Sequence, residues 1–121
     1  MIVGIGLDMI ELERIENLVT RKQKFVDRVL TKNERKEFSS YEGRRSIEFI
    51  AGRFAAKEAY AKAKGTGIGS QLSFQDIEIR KDTNGKPSIM EVPQSADFFA
   101  HVSITHTEKM AAAQVIIERL K

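Results

Sequence analysis

Cysteine is absent from the 121-residue chain and proline occurs only twice. Without cysteine there can be no disulfide and no thiolate zinc site, and a reducing compartment fits. No apolar run approaches the roughly 20 residues a membrane span needs, so no membrane partner is expected. The apolar start, Ile2 to Leu7, is too short for a signal-peptide core and soon meets charge, which makes the cytoplasm the expected location. Repeats, low-complexity tracts and linkers are also missing, so residues 1–121 read as one domain. A domain of this size buries only about two-thirds of its unfolded surface, and a subunit interface would help to stabilise it.

With 41% apolar and 31% charged residues, the composition is that of a folded globular protein rather than a disordered tail. The net charge is only +3, but the cations are clustered. Arg14, Arg21, Lys22, Lys24, Arg28, Lys32, Arg35 and Lys36 face only Glu16, Asp27 and Glu34 in the same stretch. A second cluster holds Arg44, Arg45, Arg53, Lys57, Lys62 and Lys64. Such clusters attract nucleic acid, phosphorylated ligands or an acidic protein, although a solvated helix face explains either one alone.

Ile2 to Leu7 reads as a short buried strand, with Gly4 and Gly6 marking close backbone approach. Ile10, Leu12, Ile15, Leu18 and Val19 have helical spacing, and Phe25 to Leu30 suggests another turn or two. Thr31-Lys32-Asn33-Glu34 has the form of a capping box that starts a short helix. Arg44 to Lys64 is the strongest helix, free of proline, rich in alanine and followed by Gly65 in the C-cap position. Its small residues Gly52, Ala55, Ala56, Ala59 and Ala63 form a stripe where another element packs closely. Strands are expected over Ile77–Arg80 and Pro87–Met90 around an Asn84-Gly85 turn, around Val102 and Ile104, and over Ala111–Ile117. The expected class is α+β: a long central helix and shorter N-terminal helices packed on a mainly antiparallel sheet.

Asp8 ends the first strand, where it either caps the following helix or serves as a ligand. Glu58 and Lys62 are neighbours on one helix face, which reads equally as a surface ion pair. Lys57 and Lys64 add further cations along that helix. Should Asp8 and Glu58 meet, two carboxylates suit Mg²⁺, which keeps waters and takes further oxygens from substrate phosphates. Gly65-Thr66-Gly67-Ile68-Gly69 is neither a Walker A loop nor a dinucleotide fingerprint; its backbone N–H groups either approach phosphate or simply connect helix to strand. Of the two histidines, His106 shares the inward parity of Val102 and Ile104 and is the better candidate for ligand contact or proton transfer. No elbow motif accompanies Ser103 and His106, so nucleophilic hydrolysis is set aside.

Taken together, these segments resemble the holo-acyl-carrier-protein synthase family, the small bacterial phosphopantetheinyl transferases. The resemblance spans nearly the whole chain. It is carried by Gly4-Ile5-Gly6-Leu7-Asp8, by Gly52-Arg53-Phe54-Ala55-Ala56-Lys57-Glu58-Ala59-Tyr60-Ala61-Lys62, and by Gly65-Thr66-Gly67-Ile68-Gly69. It continues through Ser73-Phe74-Gln75-Asp76-Ile77, Asn84-Gly85-Lys86-Pro87 and His101-Val102-Ser103-Ile104-Thr105-His106. It implies transfer of the 4'-phosphopantetheine arm of coenzyme A to a serine of apo acyl carrier protein, in support of fatty acid biosynthesis. It implies Mg²⁺ at Asp8 and Glu58, Lys62 on the phosphate, and Arg45, Arg53, Lys64 and His106 around the nucleotide and its 3'-phosphate. Backbone at Gly65, Thr66, Gly67 and Ile68 would line the same pocket. Arg14, Arg21, Lys22, Lys24 and Arg28 would dock the acidic carrier. It further implies a homotrimer whose sites lie between subunits, with Asp8 from one and Glu58 from its neighbour. The general base is Asp8, through a water, or His106. A nucleic-acid-binding module is the rival class, but no motif supports it and the aromatics form no base-stacking row; a third class, a regulatory protein that keeps the pocket, would bind coenzyme A and leave the carrier unchanged.

Overall fold

A computed structural model describes residues 1–120. Strand β1 (Ile2–Glu11) leads into helices α1 (Leu12–Arg21), α2 (Lys24–Val29), α3 (Lys32–Ser39) and α4 (Arg44–Lys64). A 3₁₀ turn at Phe74–Asp76 then opens strands β2 (Ile77–Lys81), β3 (Pro87–Glu91), β4 (Phe98–His106) and β5 (Met110–Arg119). The expected mixed class is found, but the strands form two antiparallel sheets rather than one: three strands in the order β1-β5-β4, and the β2-β3 hairpin, with β3 lying beside β4.

Helix α4 crosses the inner face of the larger sheet, and its small residues set how closely. A Cβ on Gly6 would overlap the Ala59 carbonyl and one on Gly4 the Ala63 carbonyl, while Gly52 faces Ile104 at the far side of the sheet. Only glycine in β1 lets a helix backbone come this near. Ala55, Ala56, Ala59, Ile50, Val115 and Ile117 complete the buried layer between them.

The first strand differs from expectation in two ways. It runs on to Glu11, because Ile10 and Glu11 pair with Ala111 and Met110 of β5, so α1 begins at Leu12 instead of Ile10. It is also buried on one face only: Ile5, Leu7 and Met9 stand 61%, 60% and 61% exposed. Opposite them on β5 are Ile116, Gln114 and Ala112, so the outer face of the larger sheet carries an apolar stripe.

The capping box at Thr31 forms as expected, and Glu34 does more than close it. Its Oε1 accepts from the Thr31 N–H (2.8 Å) and from Lys57 Nζ (2.6 Å), and its Oε2 accepts from the Ile79 N–H (2.8 Å). One buried carboxylate thus ties α3 to α4 and β2. Among the described residues, no helix is long and apolar enough to cross a membrane.

Candidate active site

Asp8 points from the inner face of β1 past the edge of α4, where two side chains of that helix meet it. Lys62 Nζ donates to Asp8 Oδ1 and to the Leu7 carbonyl, both at 3.0 Å. Glu58 lies one turn earlier on the same face. Burial first, and then the charge of Asp8, raise the Glu58 carboxyl above the usual range, against the pull of Lys62 and Arg28. Asp8 and Glu58 of a single chain therefore share one negative site, which corrects the division between subunits that the resemblance implied. The reason is the close β1–α4 packing at Gly4 and Gly6. A cation bound between Asp8 and Glu58 would favour the charged form of both carboxylates. Among the described residues no third acidic or imidazole group joins the pair, and a two-carboxylate donor set fits Mg²⁺.

Arg45, Arg53 and His106 are brought together elsewhere. With Tyr41, Ile104 and Lys81 they line a cavity of about 160 Å³ near the start of α4. The Arg53 guanidinium stacks 4.3 Å from the Phe49 ring centroid and lies 3.8 Å from Glu37. Its side chain is only 7% exposed, and among the described residues its Nε and Nη2 have no hydrogen-bond partner. Buried donors left open in this way are met by ordered water, an ion or a ligand. Glu48 is 3.6 Å from His106 Nε2 and also pairs with Arg44.

The acidic site and this cationic pocket sit on opposite flanks of α4. At 3.6 residues per turn Arg53 is rotated about 140° from Glu58, and nine residues at 1.5 Å set Arg53 about 13 Å along the axis from Lys62.

Lys57, one of the cations along α4, is 0% exposed, and its ammonium donates to the Val29 carbonyl (2.7 Å), Glu34 (2.6 Å) and the Phe74 carbonyl (3.1 Å). Burial lowers its proton affinity, and Glu34 opposes that shift. Lys64 lies apart from Arg45 and His106, paired with Glu91 at 2.7 Å. The N–H groups of Gly65, Thr66 and Gly67 turn back onto the Lys62 and Ala61 carbonyls at 3.0–3.3 Å. Those donors cap α4, with Gly65 and Gly67 at φ of 84° and 66°. Ile68 is half-buried beyond them. The proposed docking cations Arg14, Arg21, Lys22, Lys24 and Arg28 are all exposed on α1, α2 and the turn between them, and Arg28 is near enough to lower the Glu58 carboxyl. Lys81 and Glu37 were missed because neither belongs to a periodic pattern or motif.

Comparison with known proteins agrees with this architecture. The model of the 4'-phosphopantetheinyl transferase superfamily matches residues 4–116. A holo-[acyl-carrier-protein] synthase of Anoxybacillus flavithermus is 59% identical over 120 residues, 99% of this chain and 98% of that protein. The Bacillus subtilis protein of the same name is 58% identical over 122 residues, again 99% and 98% of the two chains. A crystal structure of the Bacillus anthracis synthase in complex with CoA (3',5'-ADP) superposes with a TM-score of 0.90 at 52% identity, covering 98% of each chain. Sequence and fold agree from end to end, and the chain belongs to the 4'-phosphopantetheinyl transferase superfamily.

Proposed function

We propose that this chain is a holo-acyl-carrier-protein synthase: it moves the 4'-phosphopantetheine arm of coenzyme A onto a serine of apo acyl carrier protein and so serves fatty acid biosynthesis. The observation that carries the reading is the Asp8–Glu58–Lys62 constellation, two carboxylates in mutual repulsion beside a lysine, in a chain whose relatives carry that name.

Asp8 and Glu58 would hold Mg²⁺, which when bound offsets charge on the diphosphate. The serine oxygen forms a bond to the β-phosphorus, the bond from that phosphorus to the bridging oxygen breaks, and adenosine 3',5'-bisphosphate leaves with the electron pair. Lys62 can leave Asp8 to follow the charge building on the transferred phosphoryl group or the leaving oxygen. The serine proton passes to Asp8 through a water, with His106 as the alternative acceptor. The rest is positioning, which for phosphoryl chemistry is most of catalysis.

Arg45, Arg53 and His106 would receive the nucleotide end of coenzyme A. Because they flank α4 on the side away from Asp8, one cofactor would be gripped by the acidic site of one copy and the cationic pocket of the next. The exposed apolar stripe Ile5, Leu7 and Met9 supports self-association, and a closed ring of three, as in the family resemblance, repeats such a contact. Arg14 and its neighbours would steer the acidic carrier to a site that Arg28 adjoins. The expected cytoplasmic location goes with these substrates.

Incubating the chain with coenzyme A, MgCl₂ and apo carrier tests the reading by mass spectrometry. The expected result is one added phosphopantetheine per carrier; an unmodified carrier rejects it.

A further inference from the structure

The pocket around Arg53 contains a cation with no role so far. Lys81, the last residue of β2, lines it beside Arg45, Arg53 and His106. Its ammonium is held by Glu37 at 2.9 Å. Glu37 also accepts from the Tyr41 hydroxyl at 2.7 Å and lies 3.8 Å from Arg53. Burial works against the Glu37 carboxylate, but Lys81, Tyr41 and Arg53 outweigh it and keep it below the usual range. One ionised side chain on α3 thus presets two of the pocket's cations before any ligand arrives. A lysine fixed in advance loses less rotamer entropy on binding.

Lys81 adds to the positive charge of this pocket. Arg45 lies over the Tyr41 ring and has no carboxylate partner among the described residues, Glu48 is shared by Arg44 and His106, and Glu37 is shared by Arg53 and Lys81. A phosphate monoester brings close to two negative charges and three acceptor oxygens, enough to meet the open Nε and Nη2 of Arg53.

We propose that Lys81, positioned by Glu37, is a specificity-determining residue that selects coenzyme A over its 3'-dephospho form by contacting the 3'-phosphate. The proposal rests on the coenzyme A reading above. The test is steady-state transfer to saturating apo carrier with each of the two cofactors, using the full chain and its Lys81→Gln and Lys81→Arg variants. The wild-type chain is expected to prefer coenzyme A. Lys81→Gln is expected to raise KM for coenzyme A about tenfold more than KM for the dephospho form, the scale of one charge-assisted contact, and Lys81→Arg to restore most of the preference. A purely structural lysine would change both cofactors alike, and equal shifts overturn the proposal. A wild-type chain that leaves the carrier unmodified overturns the functional reading and this inference with it. A working wild-type chain whose preference survives Lys81→Gln, or that has no preference, overturns the inference alone.

Discussion

Lys62 Nζ lies 3.0 Å from Asp8 Oδ1, although 54 positions separate the two residues in the chain. The contact exists because β1 and α4 meet at glycine and alanine, and it places a cation where two carboxylates need one. Asp8→Asn or Glu58→Gln should therefore lower kcat by about a hundredfold or more while leaving the melting temperature close to wild type, since neither carboxylate holds up the core. Steady-state transfer assays and thermal melts check both halves of that statement.

Gly6 is a test of the packing beneath the site. Gly6→Ala drives a methyl group into the Ala59 carbonyl, and backbone cannot yield as a side-chain tip would. The expected outcome is a loss of several kcal/mol in urea unfolding, together with reduced turnover in whatever fraction remains folded, because Lys62 moves with the helix. Gly69→Ala, with open space around its Cβ position, should be near neutral.

Lys57 separates structural from catalytic cations. Lys57→Met leaves Glu34 buried without its ion partner and should cost about 3–5 kcal/mol, measured by chemical denaturation. Lys57→Met combined with Glu34→Gln should cost less than the two single changes added together.

This lysine also marks the limit of what the residues alone disclose. Spacing put Lys57 on α4 correctly, but spacing cannot tell a buried lysine from an exposed one; the three acceptors around it come from α2, α3 and the Phe74 turn. Helix α4 was legible, from Arg44 to its Gly65 cap, because alanine content, the lack of proline and the C-terminal glycine all point one way. The Gly4 and Gly6 approach was legible for the same kind of reason. The end of β1 was not, because pairing with β5, a hundred residues away, overrides the helical spacing that begins at Ile10. Sequence left the Gly65–Gly67 segment open between a phosphate contact and a plain connection, because glycine identity does not reveal where an N–H points. Glu37 and Lys81 meet only through the tertiary fold.

Acid sensitivity should trace to Glu78. Burial raises its carboxyl, but hydrogen bonds from Thr31 (2.6 Å), Arg80 (2.7 Å) and Asn33 more than reverse this, and its folded value falls below the ordinary 4.5. A depressed folded value means that the unfolded chain binds the proton more readily. The contribution is full above the unfolded value and is lost as pH falls from about 4.5 through the folded value. Glu78→Gln should lower stability at pH 7 and flatten this acid limb, read from urea midpoints at several pH values.

Carrier docking should be salt-sensitive. Arg14 is exposed on α1, so Arg14→Glu is expected to raise KM for the carrier about tenfold at low salt while KM for coenzyme A changes little, and the difference should shrink as ionic strength rises.

The most direct measurement is complementation between inactive variants. Glu58→Gln disables the acidic flank of α4, Arg45→Glu the cationic flank, and Asp8→Asn the same flank as Glu58→Gln. After subunit exchange at equal amounts, Glu58→Gln with Arg45→Glu should recover roughly a quarter of wild-type turnover, because some junctions then pair two intact halves. Glu58→Gln with Asp8→Asn should recover none. Recovery in the second mixture, or silence in the first despite demonstrated exchange, would contradict a site built from opposite flanks of two copies.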